Sequence, residues 1–378
     1  MSNMFDYLTW RGDLPLTYSP LNDVDSLIFA VLSYQSYPEE AMRLRDLNVP
    51  ALPVTGRRHP SFLEDGSTLL IRAAATERFA GVRVHHAVAV TDPERDMQFA
   101  AVTFGLPDGT EFVAFRGTDS SLAGWHEDFN MAFESPVPAQ SAAVAYLNAI
   151  AAGTDAPIFL GGHSKGGNLA VYAAAHADTA VQARIRAVYS FDGPGLDDAT
   201  MASDGYARIA RRIRSFIPQQ SVVGLLMSYH PEYTVVRSDG VGLLQHNGFT
   251  WQVLGTSFVA VTELDVSSQV VDQTVHAWLS RVSPEQRRRF VSTIFSILES
   301  TGANTTTELI QHAPEMLPAI HKALQGLDLE TARMVVSLCG QFMHIGASNI
   351  RDLLRQRIQS ESNETKQGDT SHVSRIDE

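Results

Sequence analysis

The sequence predicts an α/β fold: a mixed, mostly parallel sheet flanked by helices, with an additional helical region towards the C-terminal end. From residue 82 to residue 238, apolar strand-like runs alternate with runs of helical periodicity. Such alternation is typical of a mostly parallel sheet covered by helices. A glycine-rich turn in this region joins an apolar strand to an alanine-rich helix, and amphipathic helical patterns follow Trp251.

Length and composition set the expected domain organisation. The chain has 378 residues, roughly two to three times the common domain size of about 100–150, so we expect one large domain with an appendage, or two domains. Its hydrophobic content of 44% is ordinary for a protein that buries a sizeable core. We place a main domain with an N-terminal helical cap at 1–260, a helical region at 261–359 and a disordered tail at 360–378.

Charge and hydropathy exclude several classes of protein. A net charge of −13 argues against a nucleic-acid partner, because displacing counterions from phosphates needs a basic surface. No apolar run is long enough for a transmembrane segment, and residues 1–20 lack the pattern of a signal peptide, so we expect a cytoplasmic protein. Cys339, the single cysteine, allows no internal disulfide and no metal cluster, and no cofactor is implied.

The N-terminal part is predicted to combine short helices with a hairpin. Asn22 and Asp23 give an Asx start to a helix at 24–34, and a second helical run follows at 38–47. Residues 61–76 have the pattern of a third helix. The period then changes to that of strands, at 82–90, 97–104 and 111–115, with a tight-turn sequence at 106–109 that makes the last two a hairpin.

Strands and helices alternate after the hairpin. We predict strands at 157–160, 185–191, 213–217 and 233–238, and helices at 139–152, 167–176 and 206–212. The C-terminal region is predicted to contain amphipathic helices at 267–280, 284–300, 306–324 and 329–359.

The sharpest motif is Gly162-His163-Ser164-Lys165-Gly166, which fits the G-x-S-x-G pattern between an apolar strand and an alanine-rich helix. A nucleophilic serine on such a sharp turn needs glycines at both flanking positions, because larger residues would collide there. The alternative is a purely structural role, in which the glycine-rich turn only lets the helix pack closely on the strand. The backbone N–H of Lys165, at the helix start, suits an oxyanion donor, whereas its ammonium group suits a structural ion pair.

Five ordered segments carry a resemblance to a known family. They are GGHSKGGNLAVYAA, the upstream VAFRGTDSSLAGWHEDFNM, and the downstream YSFDGPGL, FIPQQSVVGLL and QHNGFTW. Together, over roughly residues 1–260, they resemble the bacterial Mbeg1-like proteins, a family of unknown function among the α/β-hydrolases that is related to class 3 (fungal-type) lipases. The resemblance implies an α/β-hydrolase-type sheet and a catalytic triad in the order serine, acid, histidine.

Among the 13 histidines, His246 is the preferred general base, because it lies in a polar, glycine-bearing loop after the last predicted strand. His230 is the competitor, but it precedes that strand. For the acid we favour Asp192, which directly follows the strand at 185–191. Fungal-type lipases take their acid from the turn after the next strand, and here that turn, 217–224, contains none.

Asp239 is the reserve candidate for the acid. The alternative, non-catalytic role for Asp192 is to cap its own turn through a hydrogen bond to its backbone. By resemblance, Thr118 in the segment 112–119 supplies the second oxyanion donor beside Lys165. Residues 120–135 fit either an amphipathic lid over an acyl pocket or a surface helix whose apolar face is core.

These residues predict a serine hydrolase that acts on small-molecule carboxylic esters through an acyl-enzyme on Ser164. Two alternatives stay open. One is a non-catalytic binding or scaffolding protein that keeps the elbow for packing, and the other is an acyltransferase that uses the same serine. The sequence identifies no protein partner.

Overall fold

The computed structural model describes residues 2–48, 62–95, 97–118, 131, 135–227, 230–265, 281–299 and separate positions between 268 and 337. Within these residues the fold is α/β, with a mixed sheet flanked by helices. The strands are β1 Met42–Arg43, β2 Arg83–Asp92, β3 Met97–Gly105, β4 Glu111–Phe115, β5 Ile158–His163, β6 Ile185–Phe191, β7 Ile213–Pro218, β8 Tyr233–Val236, β9 Val253–Leu254, β10 Ser257–Phe258 and β11 Ala260–Val261. The helices are α1 Met4–Arg11, α2 Asp23–Leu32, α3 Phe62–Ala74, α4 Pro138–Ala152, α5 Lys165–His176, α6 Thr179–Arg184, α7 Asp198–Met201, α8 Asp204–Ile209 and α9 Pro284–Glu299.

The main sheet has the spatial order β1-β2-β3-β4-β5-β6-β7-β8-β11. Strands β4 to β8 pair in parallel, and the pairs at both edges are antiparallel. In the parallel part, Phe115 pairs with Gly162, His163 with Phe191, and Phe191 with Phe216. The carboxyl ends of β4, β5, β6 and β7 therefore meet at one edge, where open α/β sheets carry their sites.

The parallel strands are apolar on both faces because helices cover both. Alternate residues of a strand face opposite sides of a sheet. Phe112 and Ala114 of β4 accordingly join the core on the side of α1, α2 and α3, whereas Val113 and Phe115 join the core on the side of α4 and α5. Helix α2 is buried from Val24 to Leu32, as expected for a helix whose residues from Leu27 onwards are all apolar.

A buried ion pair ties the N-terminal cap together. The guanidinium group of Arg78 donates to both carboxylate oxygens of Asp25, and both side chains are fully buried. The Tyr7 hydroxyl donates to the same carboxylate at 2.7 Å. Arg78 also donates to the backbone carbonyls of Leu14 (2.9 Å) and Ser19 (3.0 Å), so one side chain joins α1, α2 and the chain between them.

Most elements expected from the sequence are present, but one prediction is wrong, and several short elements, α6, α7, β9, β10 and β11 among them, were not predicted. The helical run predicted at 38–47 is wrong: Met42–Arg43 forms a short edge strand that pairs with β2, and a single 3₁₀ turn, Leu44–Asp46, follows it. Helix α1 was not predicted, although Asn3 and Asp6 form a capping box at its start. The parallel strands and the helices α2, α3, α4, α5 and α9 are confirmed to within a few residues at each end.

Some predictions lie outside the described residues. They concern most of the lid or surface helix predicted at 120–135, most of the helices predicted at 267–280, 306–324 and 329–359, and the tail at 360–378. The division at residue 260 stays a prediction. Across the described part of the chain, no helix combines the length and the apolar character needed to cross a lipid bilayer.

Candidate active site

Ser164 occupies a sharp turn between β5 and α5. Its backbone has φ 58° and ψ −133°, a conformation that an L-residue with a side chain adopts only under strain, at a cost of about 1–3 kcal/mol. A Cβ atom on Gly162 would collide with the backbone of Gly166, and one on Gly166 would collide with the carbonyl of Phe115. The two glycines are therefore required for the turn, as the pattern in the sequence indicated.

The end of β4 lies directly beside the serine. A Cβ atom on Gly117 would come within 3.1 Å of the Ser164 Cβ, so the backbone that leads into Thr118 passes close to the hydroxyl-bearing carbon. Lys165 is the first residue of α5, where N–H groups have no partner inside the helix. Both predicted oxyanion donors thus belong to segments that flank Ser164. The Lys165 ammonium group is buried and donates to the carbonyl of Gln98 on β3 at 3.0 Å.

The structure brings His246 and Asp192 together. Nδ1 of His246 lies 2.7 Å from Oδ2 of Asp192. Because an ionised carboxylate can only accept, this contact assigns the hydrogen to Nδ1 and leaves Nε2 as the basic nitrogen. Asp192 directly follows β6 with φ 48° and is 1% exposed. Its backbone N–H donates to the carbonyl of Phe216 at 2.8 Å, which fixes its position against β7.

The turn after β7 contains no acidic residue of its own, but its residues form hydrogen bonds to Asp192, which follows β6. Oδ1 of Asp192 accepts from the Ser221 hydroxyl at 2.5 Å and from the Gly224 N–H at 3.1 Å. The neighbouring Gln220 connects the same turn to the loop that carries His246: the backbone N–H of Gln220 donates to Gln245 Oε1 at 2.9 Å. Both carboxylate oxygens of Asp192 are therefore engaged. Sequence reasoning missed these roles, although polar side chains at the carboxyl end of a parallel strand were the available signal.

His163, the residue before the serine, was also missed. Its Nε2 lies 2.7 Å from the backbone carbonyl oxygen of His246, and its Nδ1 lies 3.3 Å from the Tyr34 hydroxyl. The ring is buried and stacks on Phe62, with the two ring centroids 5.4 Å apart. Burial lowers the pKa of His163 to about 3, so the ring is neutral near neutral pH.

Ser164, His246 and Asp192 lie at the same edge of the sheet. The N–H of Ser164 donates to the carbonyl of Phe191, the residue before Asp192, at 3.0 Å. The rings of His163 and His246 have centroids 4.6 Å apart. In the described part of the chain, no hydrogen bond joins the Ser164 hydroxyl to His246. Hydrogen bonds of this kind are often long in unliganded enzymes and shorten when substrate binds.

Comparison with known proteins assigns the family. A family model described as Mbeg1-like matches residues 73–296, which is more than half of the chain. The chain belongs to the Mbeg1-like family. The match extends past residue 260 and so includes part of the C-terminal helical region, beyond the span over which the sequence motifs were recognised.

Other comparisons with this Mbeg1-like chain are distant. One solved structure, titled "Crystal structure of M37 lipase", aligns with 53% of this chain and 67% of its own, at 14% identity and a TM-score of 0.32. A search of curated proteins gave no match.

The remaining candidates of this Mbeg1-like chain have other partners. Asp239, the reserve acid, accepts a hydrogen bond from Gln252 Nε2 at 2.5 Å. His230 lies 2.6 Å from the Tyr206 hydroxyl through Nδ1, and burial lowers its pKa. No group of three or more histidine, cysteine, aspartate or glutamate side chains suited to a metal ion occurs among the residues that the structure describes.

Proposed function

We propose that the protein is a serine hydrolase that cleaves carboxylic esters through an acyl-enzyme on Ser164. The observation that carries the proposal is the 2.7 Å contact between His246 Nδ1 and Asp192, next to a serine in a strained strand-to-helix turn. A solvent-screened surface pair would need no such fixation, whereas here Ser221 and Gly224 of the turn after β7 both donate to Oδ1 of Asp192, which leaves Oδ2 for His246. This arrangement orients the imidazole and stabilises the imidazolium ion that forms when it accepts a proton.

In the proposed reaction, Ser164 Oγ attacks the ester carbonyl carbon while its proton moves to Nε2 of His246. The N–H groups of Thr118 and Lys165 hold the oxyanion, and one such donor typically lowers the barrier by about 3 kcal/mol. Collapse of the tetrahedral intermediate breaks the bond to the alcohol, which leaves with the proton from His246. Water then attacks the acyl-enzyme and gives its proton to His246, and the departing serine oxygen takes that proton back as the carboxylic acid is released.

Labelling with a fluorophosphonate reagent tests this function directly. We expect the folded protein to react at Ser164 within minutes and a heat-unfolded sample not to react. Mass analysis of the peptide that contains Ser164 locates the adduct. A panel of p-nitrophenyl esters of graded acyl length then measures kcat/KM and shows which chain length is preferred. A folded protein that neither labels nor cleaves any ester would contradict the proposal.

The second candidate function is binding without catalysis on the same fold. The observation that favours it is that the Ser164 hydroxyl and His246 are not hydrogen-bonded within the described residues. The labelling experiment separates the two, because an idle serine reacts slowly whereas a serine with a working base reacts quickly. Acyl transfer shares the acyl-enzyme, so adding alcohols or thiols and measuring the products distinguishes it from hydrolysis.

Replacing the proposed acid, Asp192, is expected to lower kcat strongly, whereas the same change at the reserve position, Asp239, is not. In the proposed triad, Asp192→Asn preserves shape but favours the wrong tautomer of His246, so we expect kcat to fall about 10⁴-fold. The matched control is Asp239→Asn, at the reserve position, which should change kcat less than about threefold if Asp192 is the acid. Steady-state ester kinetics on both variants measures the difference. Equal losses, or a larger loss at Asp239, would contradict the assignment.

A further inference from the structure

The carbonyl of His246 is held by a residue from the serine turn. His163 immediately precedes Ser164, and its Nε2 lies 2.7 Å from the His246 carbonyl oxygen. A carbonyl can only accept, so Nε2 carries the hydrogen. In the neutral ring Nδ1 is then an acceptor, and the Tyr34 hydroxyl lies 3.3 Å both from Nδ1 and from the His163 carbonyl oxygen, so it can donate its hydrogen to either. Both ring nitrogens thus have complementary partners.

The loop that carries His246 needs such an anchor. It is a short 3₁₀ turn, Gly242–His246, and the Leu244 side chain is 70% exposed. Other contacts hold its earlier residues: Gln220 Oε1 accepts from the Gly242 N–H at 2.5 Å, and the Trp251 indole donates to the Gln245 carbonyl at 2.8 Å. The bond from His163 acts at the backbone of the base itself.

We propose that His163 is a positioning residue, which fixes the backbone of His246 relative to Ser164 through its Nε2–H. The carbonyl acceptor sets the tautomer of His163, and the Tyr34 hydroxyl lies beside its Nδ1. The proposal rests on the proposed function. The nucleophile and the residue that donates this bond are adjacent in sequence, so a single hydrogen bond connects the peptide of the serine to the peptide of the base across 83 residues. A misplacement of about 1 Å between reacting groups costs on the order of 100-fold in rate.

The charge of His163 is also suited to this role. Its ring centroid lies 4.6 Å from that of His246, which becomes an imidazolium ion in the proposed reaction. A second positive ring at this distance would oppose that charge. Burial among Tyr34, Phe62 and the turn itself favours the neutral form, so His163 can donate without adding charge.

Two variants of similar size separate positioning from packing. His163→Gln keeps an N–H donor near the position of Nε2, whereas His163→Met fills similar space without a donor. We expect His163→Met to lower kcat roughly 10- to 100-fold with KM within about threefold, and His163→Gln to retain most of the wild-type kcat. Tyr34→Phe, which removes the hydroxyl beside Nδ1 and the carbonyl oxygen of His163, should lower kcat by about threefold to tenfold. Thermal unfolding should place both His163 variants at similar stability.

Three outcomes decide the proposal. A loss of kcat in His163→Met that is absent or much smaller in His163→Gln supports positioning. Equal losses of kcat in His163→Gln and His163→Met, or a rise in KM at unchanged kcat, overturn it. If the wild-type protein itself is inert, the proposed function fails, but proton NMR of the low-field Nδ1–H of His246 still tests the positioning. This signal should survive in His163→Gln and broaden or shift in His163→Met. An unchanged signal in His163→Met would overturn the proposal.

Discussion

Replacing Ser164 with alanine is expected to lower ester turnover by about 10⁶-fold. The proposed reaction forms its first new bond at Ser164 Oγ, and neither His246 nor the oxyanion donors can substitute for that atom. The serine is half-buried at the turn, and the described structure assigns its side chain no stabilising hydrogen bond. The free energy of unfolding should therefore change by less than about 0.5 kcal/mol.

Ser141→Ala provides the matched control for this prediction. Ser141 lies on α4 with its side chain exposed. We expect wild-type turnover and wild-type stability from it. Steady-state rates with p-nitrophenyl esters and thermal unfolding of the three proteins make the comparison. If Ser164→Ala retains substantial turnover, the measured cleavage does not pass through Ser164, and the nucleophile is wrongly assigned.

Local sterics made the serine turn predictable from the sequence. Gly162 and Gly166 are needed because each Cα approaches another backbone segment too closely for a side chain, and that requirement appears as a five-residue pattern. The positions of Asp192 and His246 relative to the strands follow from the same alternation of elements. Their pairing could be expected because the carboxyl ends of parallel strands converge at one edge.

The supporting contacts could not be predicted in the same way. Ser221 reaches Asp192 across 29 residues, and His163 reaches His246 across 83. Each depends on the register of β5, β6 and β7 and on the path of the loop after β8, which no local pattern specifies. Likewise, residues 38–47 carry helical periodicity, but Met42–Arg43 gains pairing with β2 at the sheet edge. Tertiary pairing outweighs local preference there.

The second large effect is expected at the ion pair of the N-terminal cap, where Arg78→Met should lower the free energy of unfolding by about 3–5 kcal/mol. The change leaves the carboxylate of Asp25 fully buried without its cation and removes the donors to the carbonyls of Leu14 and Ser19. The loss should spread to the site, because α2 leads directly into the segment that carries Tyr34. Chemical denaturation measures the stability, and Arg186→Met, at an exposed position of β6, is the matched control, expected within about 0.5 kcal/mol of wild type.

The pH dependence of the Arg78→Met variant identifies the mechanism of this loss. Burial raises the pKa of Asp25 in the folded protein, and the guanidinium group of Arg78 counteracts this, so its removal should raise that pKa further above the value in the unfolded chain. The folded state then binds the proton more readily, so lowering the pH from neutral towards the unfolded pKa should recover part of the stability lost relative to wild type. Adding Asp25→Leu to the variant should also recover part of it, because no buried charge remains. A destabilisation that is independent of pH and additive with Asp25→Leu would assign the effect of Arg78 to packing rather than to its charge.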